Sequence, residues 1–97
     1  MYAVIFKATF NQLDDAYTRY ARQLRELAMS KYGCTDFTSV CEGNQEITLS
    51  YWNSLNDIKT WKNDAVHQQA QALGKRKWYS HYQVEIVEIL REYAKGS

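Results

Sequence analysis

Cysteine is scarce in this chain, charge is balanced, and no apolar run is long. The two cysteines among 97 residues, Cys34 and Cys41, stand seven apart with no CxxC pair and no clustered histidine. Two isolated thiols do not make a zinc site, which needs more ligands at closer spacing. If one strand runs through both, their odd separation puts them on opposite faces, which disfavours a bridge. Reduced thiols and a cytoplasmic setting are therefore expected. The formal net charge is +1, so no global field draws the chain to nucleic acid or to a membrane surface. The basic run Lys75-Arg76-Lys77 reads either as a solvated turn after a helix or as a grip for an acidic ligand. The first apolar stretch, Tyr2 to Phe6, lacks a basic leader and is cut by Lys7, and no run reaches the length of a membrane span. GxGxxG, P-loop, nucleophile-elbow and HExxH patterns are missing, as is an acidic pair at suggestive spacing. Nothing marks a nicotinamide, flavin or nucleotide site, so neither a cofactor nor a metal is expected.

What is abundant is aromatic surface. The chain is 45% apolar and carries three Trp, eight Tyr and three Phe. Its length is that of one domain, 1–97, and a core this small hides only about two-thirds of the surface that the unfolded chain exposes. The excess points to an aromatic-lined pocket, an interface, or both.

Periodicity divides the chain into alternating elements. Tyr2 to Phe10 is β-branched and aromatic on nearly both faces, as a central strand requires. Between Asp15 and Tyr32, residues Tyr17, Tyr20, Ala21, Leu24, Leu27 and Ala28 form one helical stripe, with Arg19, Arg22, Arg25 and Glu26 opposite. Gly33 stands where a left-handed C-cap belongs. Asp36 to Glu42 and Glu46 to Trp52 are strands joined by a Gly43-Asn44 turn, the second alternating with Ile47, Leu49 and Tyr51 on one face. Ser54 with Asp57 three residues on resembles a capping box. The helix it opens carries Leu55, Ile58 and Trp61 inward. Polar Lys62-Asn63-Asp64 can interrupt that helix before it resumes from Ala65 to Leu73, and Gly74 is expected to stop it. A last strand is predicted over His81 to Tyr93.

The order β-α-β-β-α-β predicts the split βαβ, ferredoxin-like α+β arrangement: a four-stranded antiparallel sheet with its helices on one face. The last strand is apolar on both sides, with Tyr82, Val84 and Ile86 on one and Val87, Ile89 and Tyr93 on the other. Both sides then need cover. A second copy packed against the open sheet face, closing a dimeric barrel, supplies it, so a homodimer is expected.

His67 is the one histidine placed in a helix. It reads either as a pocket histidine that binds a ligand and moves a proton near neutral pH, or as a structural one. Trp61 precedes it by six residues, so in a regular helix the two need not touch; a break near Asn63 changes that. His81, at the start of the last strand, reads as an exposed edge residue. Tyr51, Trp52, Trp61, Trp78, Tyr79 and Tyr82 gather in the second half of the chain. Large rings with a polar handle suit a pocket for a flat, partly polar molecule and equally suit core packing.

The run Ile47-Thr48-Leu49-Ser50-Tyr51-Trp52-Asn53-Ser54-Leu55, followed by Trp61-Lys62, His67, Ala70-Gln71, Gly74, Trp78-Tyr79 and Tyr82, resembles the antibiotic biosynthesis monooxygenase family. Tyr2 to Phe6 and the first helix fit it as well, so the resemblance spans nearly the whole chain. It implies a dimeric α+β barrel with a pocket between helices and sheet in each subunit. It also implies oxidation of an aromatic phenol or hydroquinone by oxygen without an added cofactor. Trp61 and His67 match the pattern best and are the implied catalytic residues, with Tyr51, Trp52, Trp78 and Tyr82 as candidate substrate contacts. Haem-degrading relatives pair a helix histidine with a first-strand asparagine; here Lys7 and Ala8 occupy that stretch, a departure from that branch. Three functions follow for comparison: a cofactor-independent monooxygenase, a non-catalytic barrel that binds a small aromatic or haem, and a dimeric module whose interior is filled by its own rings.

Overall fold

The computed structural model describes residues 1–96. Strand β1 (Tyr2–Phe10) leads to helix α1 (Asp15–Ser30), then to the hairpin β2 (Asp36–Glu42) and β3 (Gln45–Trp52). Helices α2 (Leu55–Lys62) and α3 (Ala65–Leu73) follow, then a π-helical turn (Gly74–Trp78) and strand β4 (Tyr79–Glu88). The sheet order is β2-β3-β1-β4 with every neighbour antiparallel. This is the ferredoxin-like arrangement that the element order predicts. Among the described residues no helix is long and apolar enough to cross a membrane.

Each helix start has a local cause. Asp14 caps α1 by accepting from the Tyr17 amide at 3.0 Å, and Ser54 caps α2 by accepting from the Asp57 amide at 3.1 Å. The polar Lys62-Asn63-Asp64 stretch does interrupt the second helical segment, because Asp64 turns to an extended conformation and caps α3 through the Val66 amide at 2.8 Å. Gly33, two residues past the Lys31 cap of α1, has φ +81°, which only glycine adopts without strain.

Three boundaries in the last part of the chain differ from the sequence reading. Gly74 does not stop the helix: its φ is −59°, and the chain runs on through the π-turn to Trp78. The last strand therefore begins at Tyr79 rather than His81, and it ends at Glu88 rather than Tyr93. The early end follows from its partner. β1 begins at Tyr2, which pairs with Glu88, and the Ile89 amide donating to the Met1 carbonyl is the last rung available. Beyond it Leu90 and Tyr93 are each 86% exposed. Cys34 precedes β2 and is buried, Cys41 is exposed, and both are free.

The core lies between the helices and one sheet face, built from Val4, Ala28, Cys34, Trp52, Ile58 and Trp61. Strand pairing assigns the remaining residues to faces. Val4, Phe6, Ala8, Glu46, Thr48, Ser50 and Trp52 face the helices; Ala3, Ile5, Ile47, Leu49 and Tyr51 face away. The clean alternation of β3 is thus inverted relative to a simple amphipathic strand. Its polar residues Glu46 and Ser50 are buried under the helices, while Ile47 is 41% exposed on the open side.

Candidate functional site

Three of the six candidate residues meet at one end of the helix-facing layer. Trp52 is fully buried and donates its indole N–H to Ser50 Oγ at 2.9 Å. Trp61 lies against it with ring centroids 5.1 Å apart and donates its own N–H to the Leu24 carbonyl at 3.2 Å. His67 then meets Trp61 edge-on, centroids 4.2 Å apart. The helix break creates that contact, since it re-aims α3 so that a residue six positions on returns to the same cluster. The brace is Asp64, whose carboxylate caps α3 and also accepts from the Tyr32 hydroxyl at 2.5 Å. That hydroxyl is the main reason the Asp64 carboxyl is held below its usual value.

His67 is the chemically distinctive member. Its Nδ1 is buried and makes no hydrogen bond of ordinary geometry, the Trp61 backbone supplying only a weak one to the ring. Burial pulls its pKa down to about 4, against a smaller upward pull from the Trp61 backbone. At neutral pH the ring is therefore uncharged.

Trp78 and Tyr82 belong to a second aromatic group, at the Phe10 end of β1. Trp78 is buried, stands edge-on to Tyr17 at 5.4 Å, and donates to Asp14 Oδ1 at 3.1 Å. Asp14 also pairs with Lys77 at 2.7 Å, which above all holds its carboxyl below the usual range. One member of the basic run thus serves to tie the π-turn to the start of α1. Tyr82 lies on the helix-facing side of β4, 38% exposed and stacked on Phe6 at 5.9 Å. Tyr51 joins neither group: it pairs with Ala3 on the opposite face of the sheet.

The second group contains residues that the sequence reading left out. Glu46, only 5% exposed, accepts from the hydroxyl of Tyr17, from Tyr79 at 3.4 Å and from Thr48 at 3.0 Å. A buried carboxylate requires such donors. Burial first, and then the Glu46 bond, push the Tyr17 phenol far above its usual pKa; burial and the Glu46 charge do the same to Tyr79. Both therefore stay protonated as donors. Tyr79 and Tyr82 share this face only because a β-bulge intervenes. Ala8 pairs with Tyr82 and Thr9 with His81, yet Phe10 pairs with Tyr79, so Ser80 is the extra residue. An odd separation of three would otherwise place the two rings on opposite faces. The usable signal for Glu46 was its place in β3, in phase with Trp52 rather than with Ile47.

The helix-facing side of β4 is uncovered. Val84 and Ile86 are 48% and 50% exposed, because α3 packs chiefly on α1, α2 and the π-turn. Ile86 pairs with Val4, itself a member of the Trp52–Trp61 cluster, so the open apolar strip lies along the β4 edge, next to the β1 residue of that cluster. Two surface depressions lie elsewhere, one bordered by Lys31, Tyr32, Asn56, Asp57 and Thr60, the other by Val40, Cys41, Gln45 and Ile47.

No family model matches the chain. A curated relative does: the uncharacterised protein YqjZ of Bacillus subtilis is 34% identical over 92 residues, spanning 94% of this chain and 81% of that protein. This chain belongs to the YqjZ family. The fold is shared more widely, at identities that speak to fold alone. SnoaB, a cofactor-independent oxygenase from Streptomyces nogalater, superposes with a TM-score of 0.79 at 6% identity, covering 97% of each chain. An antibiotic biosynthesis monooxygenase superposes with a TM-score of 0.78 at 12% identity, covering 94% of this chain and all of the other. The architecture of this YqjZ relative is thus that of the antibiotic biosynthesis monooxygenases, in agreement with the resemblance carried by its second half.

Proposed function

We propose that this chain is a cofactor-independent oxygenase of a small, electron-rich aromatic of the phenol, hydroquinone or anthrone kind. The observation that carries the reading is His67: a neutral imidazole with an unpartnered, buried Nδ1, set edge-on against Trp61. The shared fold with a cofactor-independent oxygenase supports it.

In this reading the substrate lies along the open strip of β4, its flat face on Val84 and Ile86, with an acidic O–H or C–H directed at His67. A base whose conjugate acid has a pKa of about 4 is weak when no charge stands beside it. It strengthens as the proton moves, because the anion formed beside it is an opposite charge in a poorly solvated place. For an anthrone, His67 takes one proton from the methylene. The carbanion adds dioxygen, a proton returns, and water leaves, so that CH2 + O2 becomes C=O + H2O. Trp61 holds the ring of the substrate while charge develops. Trp52, Trp78, Tyr51 and Tyr82 were candidate contacts; in this pose Tyr82 is the one at the rim, and Trp52 supports Trp61 from beneath.

We infer further that the working unit is a homodimer joined through the open sheet face. Ile5, Ile47, Leu49, Tyr51 and Val87 line that face, with Val40 58% exposed at its edge, and exposed apolar side chains grouped in this way mark a contact surface.

Oxygen uptake with a panel of hydroxynaphthacenes and anthrones tests the activity. Uptake by wild type that is lost in His67→Ala is the expected result; a panel with no uptake overturns it. Quenching of Trp fluorescence by the same compounds, or a Soret band on adding haemin, without oxygen uptake would instead establish the non-catalytic binding barrel.

A further inference from the structure

Apart from Tyr82 at the rim of the proposed substrate strip, the Glu46 group has no part in the oxygenase reading, and its geometry carries a different chemistry. Five oxidisable rings form a continuous series: Tyr82 to Tyr79 at 6.2 Å, Tyr79 to Tyr17 at 6.4 Å, Tyr17 to Trp78 at 5.4 Å, and Trp78 to Tyr20 at 5.8 Å between centroids. Both ends reach the surface: Tyr82 is 38% exposed, and Tyr20 is half-buried with its hydroxyl on exposed Gln69. The middle of the series is where a proton acceptor sits. Tyr17 donates its phenolic hydrogen to Oε1 of Glu46, whose other oxygen is held by Thr48.

A phenol that loses an electron becomes a very strong acid, so a half-buried tyrosine such as Tyr17 is oxidised readily only if its proton has somewhere to go. We propose that Tyr17 is a redox tyrosine, oxidised by one electron through the exposed Tyr82 or Tyr20 with transfer of its phenolic proton to Glu46. The step balances: the oxidant, a peroxyl or other one-electron radical arising beside the protein, gains one electron. Tyr17 becomes a neutral tyrosyl radical, and the Glu46 carboxylate becomes a neutral carboxylic acid. The pair begins with one negative charge and ends with none, so a buried site gains no unpaired charge. Because the Tyr17 phenol does not ionise at neutral pH, the proton does not leave ahead of the electron, and the Glu46 oxygen already bonded to the hydroxyl receives it. The role is to draw an oxidising hole off the surface into a shielded ring, where it awaits a reductant.

Flash photolysis of the intact protein with ruthenium tris-bipyridine and persulfate, read by freeze-quench electron paramagnetic resonance, tests this. Wild type is expected to give a tyrosyl radical that persists and forms more slowly in deuterated buffer. Tyr17→Phe is expected to lose that signal and to form dityrosine-linked chains through Tyr82 instead. Glu46→Gln, with Tyr17 still present, is expected to behave like Tyr17→Phe. Should Glu46→Gln fail to fold, the wild-type isotope effect and Tyr17→Phe decide alone. Equal radical yield and lifetime in wild type and Tyr17→Phe, or no isotope effect in wild type, overturns the proposal.

Discussion

The rings of Trp61 and His67 meet edge to face with centroids 4.2 Å apart, although the two stand six positions apart in a segment of helical pattern. The contact depends on Asp64, which ends the approach of α2, caps α3 at the Val66 amide and is itself fixed by the Tyr32 hydroxyl. Asp64→Ala is therefore expected to lower the thermal midpoint and also to loosen His67 from Trp61, seen as a change in Trp emission. Tyr32→Phe should do the same more weakly, and the double variant should lose less than the sum of the two. A fully additive pair would show that the brace does not act as one unit.

A second expectation concerns pH. The folded pKa of His67 is about 4 against about 6.5 for an unfolded histidine. Between those values the unfolded chain binds a proton that the folded chain does not, so stability is complete above about 6.5 and falls as pH drops toward 4. Between pH 7 and pH 5 the loss amounts to about 2 kcal/mol at most. Urea titrations at the two pH values, on wild type and His67→Phe, isolate it: the variant should show a flatter dependence. Equal pH dependence in both proteins would mean that the imidazole is already protonated or solvated in the fold.

How much of this was legible beforehand depended on whether local pattern or long-range pairing decided the matter. The helix break was legible, since Asn63 and Asp64 are poor helix-interior residues and good caps. The central position of β1 was legible from its two apolar faces. The side of β3 that turns inward was not. Ile47-Leu49-Tyr51 is the apolar set, yet Glu46-Thr48-Ser50-Trp52 faces the helices, because Tyr17 and Tyr79 arrive from distant elements to satisfy the carboxylate. The pairing of Tyr79 with Tyr82 was hidden by the bulge at Ser80, which shifts the phase of β4 by one residue. The extent of β4 was overread because side-chain pattern continues past Glu88 where strand partners do not.

Gly74 shows what a residue read as a stop signal does instead. Its backbone is ordinary right-handed helix, so its lack of a side chain serves packing. A Cβ there would stand 3.1 Å from the Tyr79 ring, which is confined by Phe6, Phe10 and Tyr17. Alanine would gain about 1 kcal/mol from helical propensity and lose about 1–3 kcal/mol from overpacking. Gly74→Ala is thus expected to destabilise by about 1 kcal/mol net and to alter the near-ultraviolet dichroism of the tyrosine cluster. A variant more stable than wild type would show that Tyr79 moves freely aside, and that the cluster is looser than its ring contacts imply.

The open sheet face supplies the last expectation. Val40 and Ile47 pair across β2 and β3 at 58% and 41% exposure, on the side away from the helices, and Tyr51, Ile5 and Val87 continue the same surface across the sheet. If two copies bury it against each other, the mass in solution is twice 11.4 kDa, and the thermal midpoint rises with protein concentration, because association stabilises only the folded form. Ile47→Lys places a charge within that contact without touching the helix-facing core, so it should yield a monomer whose midpoint no longer depends on concentration. Val40→Lys, at the rim, should weaken association less. A wild-type monomer with a concentration-independent melt would leave the apolar bias of this face without a partner copy to explain it. The inverted alternation of β3 would then have to follow from the demands of Glu46 and Trp52 on the other side.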